Sequence, residues 1–226
     1  MRIGILQTGH APDETRATMG NYDQMFRQLL DGHGFAFDTY AVLDGQFPDG
    51  PDAAEGWLIT GSKHGVYEDH AWIPPLEDLI RAIHAKGQPL VGICFGHQII
   101  AQALGGKVEK FPGGWAVGRT EYDFGDETLA LNAWHQDQVV ALPEGAQVIA
   151  SNGFCANAAL IIGDSTMTIQ PHPEFESPFV EALINHRGKG VVPQPTLDAA
   201  AAKLDQPIDN GAYAARMAAF LKKRGK

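Results

Sequence analysis

One cysteine in this chain stands in a context suited to nucleophilic chemistry. Cys94 lies in Gly92-Ile93-Cys94-Phe95-Gly96-His97-Gln98, between the apolar run Pro89–Ile93 and the helix-patterned stretch His97–Leu104. A nucleophile on a sharp strand-to-helix turn needs small residues two places to either side, and Gly92 and Gly96 meet that need. The helix that follows directs the positive end of its dipole at the sulfur, which favours the reactive thiolate. The backbone N–H of Phe95 would face the oxyanion formed when sulfur attacks a carbonyl carbon. Such a donor is worth roughly 10²–10³ in rate.

A thiol nucleophile needs a base, and the base needs an orienting group. Among nine histidines, His172 stands out. It sits in Gln170-Pro171-His172-Pro173-Glu174, directly after the strand-like Met167–Gln170. Two prolines predict a stiff, extended segment, in which residues two apart project together. Glu174 can then orient the imidazole of His172. Taken alone, His172 also reads as a surface-loop histidine; beside the Cys94 turn, the catalytic reading is preferred. Cys155, in Asn152-Gly153-Phe154-Cys155, has no helix start behind it and reads as a structural thiol.

These groups require a scaffold that alternates strands and helices. Arg2–Gln7, Phe35–Leu43, Trp57–Ile59 and Pro89–Ile93 read as strands. Asn21–Leu30, a stretch opening at Pro74-Pro75, and His97–Leu104 read as helices between them. That pattern predicts a three-layer α/β/α fold with a mostly parallel central sheet. After Gly106 the chain reads as short strands: Lys107–Phe111, Gly118–Phe124, Thr128–Asn132, Gln138–Ala141, Gln147–Ser151, Ala158–Ile162 and Met167–Gln170. All are expected to extend the same sheet in antiparallel fashion. Residues 1–190 are expected to form one domain, and 191–226 a helical C-terminal extension packed on it, with helices at Leu197–Leu204 and Tyr213–Leu221.

Composition narrows the function classes. The chain has 226 residues, one domain's worth, with 17 Lys+Arg against 27 Asp+Glu, a net charge of −10. That balance disfavours nucleic acid and anionic membrane as partners. No run approaches the roughly 18 apolar residues of a membrane span, and the N-terminus reads as a strand instead of a signal peptide. Two cysteines are too few for a disulfide framework, so a reduced, cytoplasmic setting is expected. There is no P-loop, no G-x-G-x-x-G after a strand, and no HExxH or CxxC. Neither a cofactor nor a metal is expected.

Gly92–Gln98 with His172-Pro173-Glu174 resembles the class I, or triad-type, glutamine amidotransferases over about residues 1–185. The 78-residue separation of Cys94 and His172 fits that family, as does the early strand ending in Gln7-Thr8-Gly9. The resemblance implies a flavodoxin-like class I glutaminase fold and cysteine-dependent hydrolysis of a glutamine side-chain amide, or a related γ-glutamyl amide. A γ-glutamyl thioester would form and ammonia would leave. Cys94 would be nucleophile, His172 base and then acid, and Glu174 its orienter. Leu58-Ile59-Thr60-Gly61-Ser62 resembles the loop that supplies a second oxyanion donor, from Gly61 or Ser62. Ala133-Trp134-His135-Gln136-Asp137-Gln138 resembles the pocket stretch for the substrate's amino-acid end. It implies His135, Gln136 and Asp137 as binding residues, with Asp137 on the α-ammonium and Gln98 near the substrate amide.

Three alternatives accompany this reading. A γ-glutamyl peptidase or hydrolase would use the same thioester on peptides or amines, and the chain's one-domain length leans that way. A non-catalytic regulatory module on the same fold would be expected to lack the Cys or the His, and both are present. The stress-protein and intracellular-protease branch of the fold has no His-Pro-Glu at this position. Expected partners are a small-molecule substrate and either a separate acceptor or synthetase subunit or a second copy of the chain. Two loops are also open: His64, Tyr67, Glu68, Asp69 and His70 as a lid, interface or metal ligands, with metal disfavoured; and Phe111–Trp115 as a border of the pocket or a hairpin turn, with the turn preferred.

Overall fold

A computed structural model of the chain describes residues 1–223. In chain order its first elements are β1 (Arg2–Gln7), α1 (Asp13–Met19), α2 (Tyr22–Leu29), β2 (Ala36–Ala41), β3 (Gly56–Ile59), α3 (Ile73–Ala85), β4 (Leu90–Ile93) and α4 (Phe95–Ala103). There follow β5 (Lys107–Lys110), β6 (Ala116–Asp123), β7 (Thr128–His135), β8 (Asp137–Ala141), β9 (Ala146–Ala150), β10 (Ala159–Ile162) and β11 (Thr166–Ile169). The chain ends with α5 (Ser177–Leu183), α6 (Gln194–Ala201) and α7 (Asn210–Leu221).

Seven strands form the central sheet in the order β2-β1-β3-β4-β11-β10-β9. The pairs from β2 to β11 are parallel, and β10 and β9 are antiparallel additions. Alternation along the strands sorts the core into two layers. Ile3, Ile5, Leu58, Val91 and Ile93 face α2 and α7, joining Phe26, Leu30, Tyr213, Met217 and Leu221 in one cluster. Leu6, Trp57, Ile59 and Leu90 face α3 and α4, joining Leu76, Ile80, Ile83, Ile99 and Ile100 in another. The result is a three-layer α/β/α fold. Residues 224–226 of the expected C-terminal extension lie outside the described residues.

The expectation that every strand after Gly106 extends one sheet is corrected. Only β9 and β10 do so in antiparallel sense. β11 is parallel to β4, and the other four strands pair as two separate ribbons, β5 with β8 and β6 with β7. Short-strand texture does not reveal partners; the pairing is set by long-range closure. The hairpin reading of Phe111–Trp115 fails for the same reason, because the flanking β5 and β6 pair with different strands.

Local sequence explains the element ends nearest the site. α2 opens with a capping box: the Asn21 side chain accepts from the Gln24 backbone, and the Asn21 N–H donates to Gln24 Oε1 at 2.8 Å; Asn21 Oδ1 also accepts from the Tyr22 N–H at 3.1 Å. α1, with only Thr15 buried, carries no apolar stripe from which sequence could anticipate it.

Candidate active site

Cys94 directly follows β4 and caps α4, with φ 53° and ψ −104°. It is the sole non-glycine residue with positive φ among the described residues. Holding a β-carbon there costs on the order of 1–3 kcal/mol, a strain that clusters at functional sites. The glycines on either side are sterically required. A Cβ on Gly92 would lie 2.5 Å from the Gly96 carbonyl oxygen, and one on Gly96 would lie 2.4 Å from that of Ile59. Phe95 is the first residue of α4, so its N–H has no partner within the helix.

His172 follows β11, the strand beside β4. Its Nδ1 lies 2.8 Å from Glu174 Oε1, and the side chains of both are essentially inaccessible. The expected extended geometry is corrected in part. His172 is extended, with its N–H bonded to the Asn132 carbonyl at 2.8 Å. The chain then turns at Pro173-Glu174, and the Phe175 N–H closes on the His172 carbonyl at 3.3 Å. The ring and the carboxylate therefore meet through a Pro-initiated turn and not through strand alternation. Phe175 stacks on the imidazole at 3.9 Å and 4°.

The charges around His172 compete. Burial alone would lower its pKa, but the negative charges of Glu174 and Cys94, with hydrogen bonds to both, raise it to about 10. The imidazolium is thus favoured over the neutral ring. His135 differs: burial pushes it down to about 3, and its Nδ1 meets the Asp137 carbonyl at 3.2 Å.

The loop after β3 closes the other side of the site. A Cβ on Gly61 would lie 2.8 Å from His172 Cε1 and 3.7 Å from Cys94 Cβ. The Gly61 carbonyl accepts from the hydroxyls of Thr8 and Thr60, each at 3.1 Å. A trans peptide then points the Ser62 N–H the opposite way. Thr8 also donates to the Thr60 carbonyl at 2.9 Å, tying the ends of β1 and β3 together.

Cys94, Gln98, His135, Gln136, Asp137, His172 and Ser62 all line one cavity of about 350 Å³. Phe95, Gly61 and Glu174 are not on its wall; Glu174 lies behind His172. Asp137 is half-buried, and its Oδ2 accepts from the Tyr67 hydroxyl at 2.9 Å. Burial raises the Asp137 pKa, against the opposing bond from Tyr67. Gln98 uses its amide nitrogen internally, on the Asp137 carbonyl at 2.9 Å and Gln170 Oε1 at 3.0 Å. Gln136 reaches the Phe111 carbonyl at 3.4 Å.

Sequence reasoning missed Thr8, Asn132 and Phe175, which hold the loop and the imidazole. It also missed Tyr22, Lys110 and Arg187 on the cavity wall, and it preferred a hairpin turn for the loop whose Trp115 borders the cavity. The Gln7-Thr8-Gly9 turn gave a signal for Thr8; Phe175 is local to His172 but is placed by the turn at Pro173, and the others come from remote elements and carry none.

A family model described as glutamine amidotransferase class-I matches residues 55–184. Gamma-glutamyl peptidase 4 of Arabidopsis thaliana is 35% identical over 187 residues, covering 75% of this chain and 74% of that protein. A putative glutamine amidotransferase-like protein of Schizosaccharomyces pombe is 29% identical over 245 residues, covering 97% and 98%. Among solved structures, a glutamine amido transferase from Methylobacillus flagellatus superposes with a TM-score of 0.78 at 23% identity, over 97% of this chain and 92% of that one.

Proposed function

Because the chain belongs to the class I glutamine amidotransferase family, we propose that it hydrolyses γ-glutamyl amides through a thioester on Cys94, with a γ-glutamyl peptide or amine as substrate. The observation that carries this reading is the shared cavity. Its volume of about 350 Å³ falls among those of sites for drug-sized ligands. Beyond Cys94 and His172 its wall carries Trp115, Trp134, Lys110 and Arg187, groups able to hold a leaving group larger than ammonia. The peptidase named among the relatives supports the same choice.

In this reading the Cys94 thiolate attacks the γ-carbonyl carbon. The oxyanion is met by the N–H groups of Phe95 and Ser62, with Gly61 providing the close approach. The C–N bond breaks as His172 gives its proton to the departing amine. Water then attacks the thioester, His172 takes a proton from it, and glutamate leaves with Cys94 restored. Glu174 holds the imidazole in the required tautomer and orientation. Asp137, half-buried beside the cavity, pairs with the α-ammonium of the γ-glutamyl group. His135, Gln136 and Gln98 shape that end of the pocket.

The test is glutamate release by the purified chain from glutamine and from a panel of γ-glutamyl dipeptides and amines. The expected result is a kcat/KM at least about tenfold higher for a γ-glutamyl peptide than for glutamine, a difference of about 1.4 kcal/mol. Turnover of glutamine alone would point instead to an ammonia donor serving a separate synthetase subunit. No glutamate from any of them would contradict the enzymatic reading.

A further inference from the structure

We propose that His64, Glu68 and His70 form a binding site for a divalent transition-metal ion of the zinc class, which pins the loop joining β3 to α3 over the active-site cavity. The three residues match none of the spacings that announce a metal site in a sequence, but the loop folds them together. His64 Nδ1 lies 3.2 Å and His70 Nε2 lies 2.8 Å from the same oxygen, Glu68 Oε2. One ligand atom from each residue lies within 4.8 Å of the other two. Tetrahedral coordination at about 2.0–2.1 Å spaces its ligands roughly 3.3 Å apart, so small ring rotations suffice to receive an ion. Two imidazoles and one carboxylate suit zinc, cobalt or nickel better than magnesium or calcium, which favour all-oxygen sites.

The rings are held in place. His70 stacks on Trp72 at 5.8 Å and 13°, and His64 meets His70 edge-on at 4.2 Å. Turns at Gly65–Glu68 and Glu68–His70, closed by backbone bonds of 3.1 and 3.0 Å, wrap the loop around the cluster. Three protein ligands leave a fourth position for water or an exogenous group.

The cluster touches the reaction site along two lines. His64 and Glu68 line the same cavity as Cys94. Tyr67, between them, holds Asp137, while Trp72 packs on Phe95 at 5.5 Å. An ion here would therefore fix the loop that carries Gly61 and Ser62 against the residue following the nucleophile. The ion takes no part in the thioester chemistry, and the site stands or falls independently of the substrate.

The experiment uses the full chain carrying Cys94→Ser, stripped of metal, so that the active-site thiol cannot bind the probe. Zn²⁺ is titrated by calorimetry and Co²⁺ by visible absorption. The expected result is one equivalent of each ion and a cobalt spectrum of four-coordinate type. Affinity should fall roughly tenfold or more in Glu68→Gln and in His70→Ala. In the chain with Cys94 intact, Zn²⁺ should change kcat/KM with a midpoint that His70→Ala moves to higher concentration. Absence of saturable binding, or binding unchanged in both variants, overturns the site. A midpoint that His70→Ala leaves in place overturns its link to the loop.

Discussion

Gly61 faces His172 so closely that a methyl group added to it would lie 2.8 Å from the imidazole Cε1. One face of the ring is covered by Phe175 at 3.9 Å. The imidazole is thus held by a glycine loop at its Cε1 edge and an aromatic ring on one face, a clamp in which Glu174 fixes its rotation through Nδ1. Gly61 does not have a left-handed backbone, so an alanine there is opposed by the ring and not by φ.

Gly61→Ala should therefore displace the base without unfolding the chain. A misplacement of about 1 Å can cost 10²-fold in rate, and a loss of about that size in kcat/KM is expected. Circular dichroism should show the fold unchanged. Full activity would mean that the ring moves freely and the clamp is not functional.

The pH profile should report the Glu174 charge. The pKa of His172 is raised, so its contribution to stability is fully present below about 6.5 and is lost as pH rises through about 10. Amine departure needs the same proton, so kcat/KM should fall on the alkaline side near that value. Glu174→Gln removes a charge that raises this pKa, and the alkaline limb should move to lower pH. It should also cost less in rate than His172→Ala, because Glu174 orients but does not transfer the proton. An unmoved limb would assign the alkaline loss to another group.

Alkylation should discriminate between the two thiols. Cys94 opens onto the cavity, whereas Cys155 is 2% exposed and its thiol is pushed up to about 12 by burial. Iodoacetamide near neutral pH should label Cys94 at least about 100-fold faster, as judged by peptide mass mapping. Comparable rates would remove the case for an activated Cys94.

We propose that α7 belongs to the folding unit and is not an appendage. Met217 is fully buried with Ile3, Ile5 and Leu58 against the sheet. Met217→Ala should lower stability by about 2–5 kcal/mol, seen as a lower urea midpoint with an unchanged slope. A loss below about 1 kcal/mol would mean that the helix docks loosely.

The Cys94 turn was readable in the sequence because its requirements are local: a strand, two glycines at fixed spacing and a helix start. His172 and Glu174 were readable as a pair, although the proximity of their side chains depends on a turn at Pro173 that two prolines alone did not reveal. Phe175 is only three residues beyond His172, but its stacking on the imidazole depends on the same turn at Pro173. The Thr8–Thr60 tie and the Asn132 contact were not readable, because each joins segments brought together only by sheet order. The two ribbons were misassigned for the same reason. Period-2 patterning identifies a strand and one of its faces, but not its partner.

The proposed mechanism requires a γ-glutamyl group carried on Cys94. The most direct measurement is mass spectrometry of the full chain, mixed with a γ-glutamyl peptide and quenched in acid within the first turnovers. The expected result is a mass increase of one γ-glutamyl group, mapped to the peptide containing Cys94 and absent in Cys94→Ser. Turnover that continues in Cys94→Ser, or an adduct mapped to any other residue, would contradict it.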